Sequence, residues 1–578
     1  MNRFILFFRT RRRIGWPDIV VAIMIIGLLY ALLDLGKGMV VPFSPSRQPV
    51  IHLNPVYLPY YAGRSLLRLF IAYVLSLAFA LVYGRFAAYH KLAERVMIPA
   101  LDILQSVPVL GFLSITVTFF LGLFPGSLLG AEFASIFVIF TAQAWNITFS
   151  FYHSLTTMPK DLREAAAVYR LRPWARFTRL EVPYGMIPLV WNSMMSFGGS
   201  WFFLTASETI TVLHYNIHLP GIGSYIAEAL RRGDGTALFY GIAMMVAVIV
   251  AVDQFLWRPL VAWSQKFKMN LNDDSDVQTS WFLHLIRRSE WVHALFRSMA
   301  APLRALLLDR SVPRKEARQT PESAQRRARV GSIVSRVVLT ALLLLAVRYA
   351  FDAARVVARL GLPQVLYVLK LGLYTFLRVI ASTVLGAAWT VPVGVAIGLH
   401  PRLSRIAQPL VQIAASFPSN VLYPLIAIAY VAGRVSLNIG AIPLMMLGTQ
   451  WYILFNVIAG AMAIPNDLKE ASSVLRLRRS TWWKTFILPA IYPSLITGGI
   501  TATGGAWNAS ILAELVSWRH YTLTADGLGA YITAATTDGN WARITWGIAV
   551  MCLFVVVANR FIWRPLYRLA ETKYRLGD

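Results

Sequence analysis

The sequence predicts an all-α fold, a polytopic membrane protein of about twelve transmembrane helices arranged as two parallel six-helix repeats. Three observations lead there. Of 578 residues, 57% are hydrophobic and 14% charged, with a mean hydropathy of +0.57, against about 25% charged residues in a soluble domain. Apolar windows of bilayer length recur along the chain, and the second half repeats the first in a nearly fixed register. The excess of 55 Lys and Arg over 27 Asp and Glu is not a nucleic-acid footprint. That would need a solvated basic face, and the chain has long apolar runs instead.

The first six windows centre near 14–35, 64–83, 100–123, 132–152, 184–206 and 237–257. The second six centre near 331–350, 371–398, 409–432, 437–461, 490–512 and 541–563. Arg11, Arg12 and Arg13 ahead of the first window imitate the start of a secretory signal. The apolar stretch nevertheless approaches the roughly 20 residues of a full span, and no small-x-small cleavage site follows it, so an uncleaved span is expected. With the N-terminus inside, roughly 41 basic residues fall in cytoplasmic segments, about 8 outside and about 6 in or beside spans. That bias places both termini in the cytoplasm.

Self-similarity defines the architecture. M-P-K-D-L-R-E-A-A at 158–166 returns as I-P-N-D-L-K-E-A-S at 464–472, a shift of 306. In the same register Arg170-Leu171-Arg172 meets Arg476-Leu477-Arg478, and Pro183 meets Pro489. Gly198-Gly199-Ser200-Trp201 meets Gly504-Gly505-Ala506-Trp507, Glu208 meets Glu514, and Gly221-Ile222-Gly223 meets Gly527-Leu528-Gly529. Phe255-Leu256-Trp257-Arg258-Pro259-Leu260 meets Phe561-Ile562-Trp563-Arg564-Pro565-Leu566. Upstream the shift is 310, pairing Ser106-Val107-Pro108 with Ser416-Phe417-Pro418 and Arg68 with Arg378. Six spans per copy is an even number, so both copies enter the membrane in the same direction.

The expected domains are residues 1–263, a cytoplasmic linker at 264–330, and residues 331–578. Within the linker, apolar residues from Phe282 to Leu306 recur at helical spacing with arginines between them. This describes an amphipathic helix, lying on the inner membrane surface or packed on the protein's own cytoplasmic side. Residues 309–330 hold little apolar content and read as a flexible connection.

The repeated E-A-A segment falls in a cytoplasmic loop between the fourth and fifth spans of each copy. Asp161-Leu162-Arg163-Glu164-Ala165-Ala166 starts a helix with Pro159 near its N-terminus, and its small residues allow a partner to approach closely. An amphipathic, duplicated loop of this kind is shaped to be gripped from the cytosol.

This loop resembles the EAA signature of binding-protein-dependent ABC importer permeases, E-A-A-x-x-x-G followed nine residues later by I-x-L-P. The Ser-x-Pro of the third span and the G-G-A-W-N-A-S-I-L-A-E run at 504–514 resemble the nitrate/sulfonate/taurine-type permeases within it. Their duplicated, two-in-one form is the nearest likeness, covering nearly the whole chain outside the linker. The resemblance implies a channel subunit of an ATP-driven importer of a small oxyanion, in a bacterial inner membrane. It implies a cytosolic ATPase dimer, a periplasmic or lipid-anchored solute-binding protein, and one copy of this chain per transporter. The coupling residues would be Glu164, Ala165, Ala166, Arg170 and Pro183, with Glu470, Ala471, Ser472, Arg476 and Pro489. Glu164 and Glu470 would make the acidic contacts. The family glycine is Arg170 in one copy and Arg476 in the other, where glycine would permit a sharp turn.

Polar residues within spans are the pathway candidates. Arg68 and Arg378 form an equivalent pair that would bind an oxyanion or else snorkel to outer headgroups. Gln143 and Gln450 would bind a solute or join helices. Trp201, Trp507, Glu208 and Glu514 would line or gate the pathway, with interfacial anchoring as the plain role of the tryptophans. Pro108 and Pro418 are expected to kink their helices.

No catalytic residue, metal or cofactor is expected. Cys552 lies in an apolar run, the nine histidines show no ligand spacing, and no G-x-x-x-x-G-K-[ST] loop is present. The alternative is an ion-coupled secondary transporter, with Asp253 as its carboxylate. The counterpart of Asp253 is Asn559, and such a carrier has no use for two docking loops.

Overall fold

The computed structural model describes residues 34–43, 49–106, 108–212, 215–267, 280–288, 351–352, 354–475, 478–518 and 521–573, and a few isolated positions. The windows at 14–35 and 331–350 lie almost wholly outside the described residues, as do Arg476 and most of the linker. The chain divides into two compact units. The larger comprises 34–157, 188–253 and 362–578, and the smaller includes 158–187 and 254–361.

In the larger unit, α1 (Leu58–Tyr89) is 32 residues long and runs into α2 (Lys91–Ser106). A tight turn after Pro108 leads to α3 (Leu113–Leu123), followed by α4 (Leu129–Thr156). The smaller unit holds α5 (Lys160–Val168). Then come α6 (Met186–Glu208), a hairpin of β1 (Thr209–Val212) and β2 (Tyr215–His218), α7 (Ile222–Arg232) and α8 (Gly235–Val252). The smaller unit resumes with α9 (Trp281–Arg288).

The second copy follows the same order. It comprises α10 (Leu362–Leu399), α11 (Pro401–Ser416), α12 (Tyr423–Ala432), α13 (Leu437–Met462) and α14 (Asn466–Val474). Next are α15 (Leu488–Ala513), the hairpin β3 (Leu515–Trp518) and β4 (Tyr521–Thr524), α16 (Leu528–Thr537), α17 (Trp541–Ala558) and α18 (Arg564–Lys573).

Seven helical stretches among the described residues are long and apolar enough to cross a membrane. An eighth is a bent pair, Arg402–Ser416 and Ser419–Ala432, at 60°. Pro418 sits at that break, as expected, because its ring removes an N–H and disfavours helix in the preceding residue. The window at 100–123 is likewise not one span but α2 and α3, separated at Pro108. The helix for 184–206 is present as α6, although its Ser, Asn and Gly content makes it less apolar than the others. The chain is helical as predicted, with one correction: each copy carries a short antiparallel hairpin. Ile-Thr-Val and Val-Ser-Trp stretches were legible as β-favouring only in retrospect, being short and adjacent to long apolar runs.

Helices pack through small and hydroxyl-bearing residues, which allow close approach and hydrogen bonds across the interface. Between α4 and α6, Ser135 Oγ lies 2.7 Å from Ser207 Oγ, and Asn192 Nδ2 donates to Ser150 Oγ at 3.0 Å. Gly394 and Gly398 place α10 directly against Val457 and Ala461 of α13. The main core mixes the copies: Val109, Leu110 and Ala206 cluster with Tyr423, Trp507, Ile511 and Val550. Wide π-helical turns at Asp253–Trp257 and Asn559–Trp563 recur at the same place in each copy, as do those at Phe177–Glu181 and Trp482–Ile487. In the smaller unit, Phe282 of α9 is buried and its ring meets Phe255 edge-on, with centroids 5.1 Å apart. This described start of the linker helix therefore packs on protein.

Candidate functional site

Three features are built from the repeated sequence: a buried polar clasp in each copy, a cavity between the copies, and two exposed loop helices.

The clasps join α1 to the end of α6, and α10 to the end of α15. Arg68 is fully buried, ten residues into α1. Its Nε and Nη2 donate to the Glu132 carboxylate at 2.5 and 2.7 Å, and Nη1 donates to Glu208 Oε1 at 2.7 Å. Arg64 also pairs with Glu132 and donates to Tyr60 Oη at 3.0 Å. Glu208 further accepts from Ser65 Oγ at 2.5 Å and from the Gly223 N–H at 2.7 Å. Arg68 Nη2 reaches the Pro220 carbonyl at 2.9 Å, and the Ile222 N–H donates to Ser65 Oγ at 3.0 Å. The orphan N–H groups at the start of α7 are thus held by side chains from α1 and α6.

The second copy repeats this geometry with fewer charges. Arg378 Nη1 donates to Glu514 Oε1 at 2.8 Å and to the Asp526 carbonyl at 2.9 Å. Thr375 Oγ1 donates to Glu514 at 2.8 Å and accepts from the Leu528 N–H at 2.8 Å, while the Gly529 N–H donates to Glu514 Oε2 at 2.7 Å. Asn438 occupies the place of Glu132, taking Arg378 Nε on its carbonyl and Nη2 on its Oδ1, both at 2.8 Å. Tyr374 stands where the register puts Arg64. Each clasp is formally neutral, with two arginines and two glutamates in one copy and one of each in the other. The paired glycines of the sequence repeat now have a reason. A Cβ on Gly221 or Gly527 would collide with the Glu208 or Glu514 carboxylate.

These contacts correct the reading of four candidates. Arg68 and Arg378 neither snorkel nor present bare guanidiniums to a solute, because each is already bound by a carboxylate. Glu208 and Glu514 are those partners. Trp201 and Trp507 are both 1% exposed, so they are core residues and not interfacial anchors, and Trp507 stacks on Phe376. Gln450 accepts from Trp389 Nε1 at 2.9 Å, tying α13 to α10. Gln143 is fully buried, and neither amide atom has a partner among the described residues.

A cavity with a volume of about 50 Å³ lies halfway along the bundle, where α6 meets α11, α13 and α15. Its polar lining comes from Gln412, Ser416, Ser419, Thr449 and Tyr452, and Gly198, Gly199 and Gly505 keep it open. Phe202, Phe417 and Trp451 complete the wall. None of the eight pathway candidates lines it. The doubled Gly-Gly and Ser-x-Pro repeats are the sequence signals that could have found it, the first by leaving room and the second by breaking a helix.

In the EAA segments, Ala166 is buried, whereas Glu164, Ala165, Glu470 and Ala471 are exposed, and Ser472 Oγ donates back to the Lys469 carbonyl at 2.8 Å. Beyond them lie Val168 and Tyr169 in one copy, at 79% and 78% exposure, and Val474 and Leu475 in the other, at 79% and 68%. α5 ends in a Schellman motif: the Leu171 N–H donates to the Ala166 carbonyl at 3.0 Å and the Arg170 N–H to Ala167 at 2.9 Å. Arg170 occupies the left-handed position, with φ at 47°, where glycine is normally favoured. Arginine in place of glycine suggests a different turn, and the first copy corrects that expectation: the left-handed turn is present with Arg170 itself in it. Pro183 and Pro489 each lie two residues past a π-helical turn inside a continuous helical run, where the wide turn accommodates a residue without an N–H.

A helical membrane bundle made of two like copies, each with an exposed loop helix, defines a duplicated transport permease. The chain belongs to the family described as the binding-protein-dependent transport system inner membrane component, whose model matches residues 80–256 and again 390–575. It is 30% identical over 139 residues to the bicarbonate transport system permease protein CmpB of Synechococcus elongatus, covering 24% of this chain and 49% of that one. It is 24% identical over 185 residues to the nitrate import permease protein NrtB of Leptolyngbya laminosa, covering 32% and 63%. To the taurine transport system permease protein TauC of Escherichia coli it is 25% identical over 177 residues, covering 30% and 60%. The chain spans about half the length of the bicarbonate relative it matches. The family description is that of an inner-membrane component of binding-protein-dependent transport systems.

Proposed function

We propose that this chain forms the whole membrane channel of an ATP-driven importer for a small oxyanion such as nitrate, a sulfonate or taurine. The observation that carries the coupling half of this reading is the pair of exposed EAA helices, each ending in two exposed apolar residues at equivalent positions. A solvated loop has no use for Val168, Tyr169, Val474 and Leu475 in water, whereas a partner's groove would bury them. Glu164 and Glu470 would pair with cations of the ATPase, and Ala165, Ala166, Ala471 and Ser472 would allow close approach. Closure of the ATPase dimer on ATP would draw the loops together and switch the spans between outward- and inward-open states. ATP hydrolysis belongs to that separate subunit.

Since one polypeptide carries both copies, one chain would serve two ATPase subunits, with the halves paired at an effective concentration set by their linkage. The basic loops orient both termini to the cytoplasm. Names of the relatives support an anion as cargo, and selection would rest mainly with a solute-binding protein. Arg68, Arg378, Glu208 and Glu514 would hold the helix ends in place instead of contacting solute. The test is the Glu164→Ala/Glu470→Ala double variant in cells carrying the complete transporter. Membrane insertion should be unchanged and uptake lost, since truncating one partner of a buried interfacial charge pair costs about 2–5 kcal/mol. Undiminished uptake would refute the coupling role.

A further inference from the structure

We infer that the cavity between α6, α11, α13 and α15 is a transit site for a compact oxyanion, held by neutral side-chain donors without any cation. This rests on the permease reading and assigns the solute's stopping point within it. The position fits: Gly198 and Gly199 lie near the middle of α6, and Thr449 and Tyr452 in the central turns of α13. Solutes crossing a helical bundle are bound near the midplane, where discontinuous helices supply backbone dipoles.

α11 and α12 form such a discontinuity, with Ser416 and Ser419 on either side of the break and both lining the cavity. The C-terminal end of α11 at Ser416 and the turn into α12 at Ser419 thus border the cavity together, and their opposed dipoles leave the side-chain hydroxyls as its donors. Gln412 is 6% exposed and lines the cavity, and its Oε1 has no partner among the described residues. An amide so placed can donate or accept according to its orientation. Tyr452 Oη also lines the cavity, at the place where a Cβ on Gly199 would intrude.

No Lys, Arg, Asp or Glu is among the lining residues. That chemistry suits an anion that must leave again. Hydroxyl and amide donors recognise oxygens, while a full positive charge in a dry cavity would hold the anion too tightly for transit. The volume accommodates roughly three to five waters, at about 10–15 Å³ each, or one small solute in their place. The register pairs Gln412 with Asp102 in the first copy, so the sequence of the second copy is the one without an acid at this position.

The test uses the full-length chain in nanodiscs, with Cys552→Ala and a single Ser416→Cys as probe. Methanethiosulfonate ethylsulfonate, a small anionic reagent, should modify position 416. Modification should slow about tenfold once nitrate, bicarbonate or taurine exceeds its dissociation constant about tenfold, and chloride should not substitute. Adding Gln412→Asp should abolish that protection, whereas Gln412→Asn should retain it. A Ser510→Cys control, on a fully buried residue outside the cavity lining, should stay unmodified. Monodisperse protein that is unreactive at 416, or reactive but unprotected by all three anions, would overturn the transit site. Protection by chloride as strong as by the oxyanions would overturn the oxyanion assignment. None of these outcomes bears on whether an ATPase co-purifies with the chain, which tests the permease reading separately.

Discussion

Truncating the two clasp glutamates should have unequal consequences, although each accepts the same three kinds of hydrogen bond. Glu514→Ala leaves the Arg378 guanidinium, 7% exposed, with only neutral acceptors: the Asn438 carbonyl and Oδ1 and the Asp526 carbonyl. Removing one partner of a buried ion pair costs about 3–5 kcal/mol, and here the upper part of that range applies because no second anion remains. Glu208→Ala also leaves one net positive charge, but Arg64 and Arg68 share it around Glu132, and Arg68 keeps two bonds to that carboxylate. The loss is then closer to that of charged hydrogen bonds alone, about 2–3 kcal/mol. The difference should be about 1–2 kcal/mol in favour of the Glu208 variant.

Unfolding of the full chain in mixed dodecyl sulfate micelles, followed by near-UV circular dichroism, would measure both variants against the parent. The neutral double variant Arg378→Met/Glu514→Leu should recover much of the loss, since no uncompensated charge remains buried. A Glu208 variant as unstable as the Glu514 variant would refute this reasoning. So would a double variant whose loss equals the sum of the two singles.

Other consequences are as direct. Arg170→Gly should stabilise the chain by up to about 1 kcal/mol in the same assay, since a non-glycine residue at positive φ costs about 1–2 kcal/mol and glycine's extra unfolded-state entropy offsets part of the relief. Gly221→Ala and Gly527→Ala should each lower stability by about 1–3 kcal/mol, because the new Cβ must displace a buried carboxylate; a neutral result in both would mean that α7 and α16 are not clamped as described. Burial holds the His218 imidazole below its ordinary value of 6.5, with Glu228 opposing and Arg231 adding to the effect. The unfolded chain therefore takes up a proton first, and stability present above pH 6.5 should fall as the pH drops through and below it. His218→Gln should flatten that part of the unfolding profile, and an unchanged slope would remove His218 as the cause.

Much of this was legible in the sequence, and the limits have physical causes. Hydropathy and repetition identified a duplicated helical membrane protein because lipid forces apolar runs and the two copies keep their register. The E-A-A loops were readable for the same reason. What one sequence does not carry is which polar groups face each other across helices. Arg68 reads as an oxyanion ligand or a snorkelling residue and Glu208 as a pathway or gate residue, and nothing in the sequence says that the two, 140 positions apart, bind one another. Glu132 escaped notice because, in the second copy, Asn438 does its work. The cavity escaped for the opposite reason: its walls are glycine, serine and aromatic residues, none conspicuous alone. The hairpins fell between long helices and are too short to announce themselves by alternation.

The unequal clasps also constrain how the copies diverged. One retains Arg64 with Glu132, and the other has Tyr374 with Asn438. Losing either charge alone would strand the other in a dry bundle, so the exchange had to pass through an unstable intermediate or occur with compensation already in place. The halves have thereby ceased to be interchangeable parts. A chimera that grafts α1 without α4, or α10 without α13, should misassemble. Grafts that carry both helices together should fold, so the unit of inheritance here is the helix pair and not the single span.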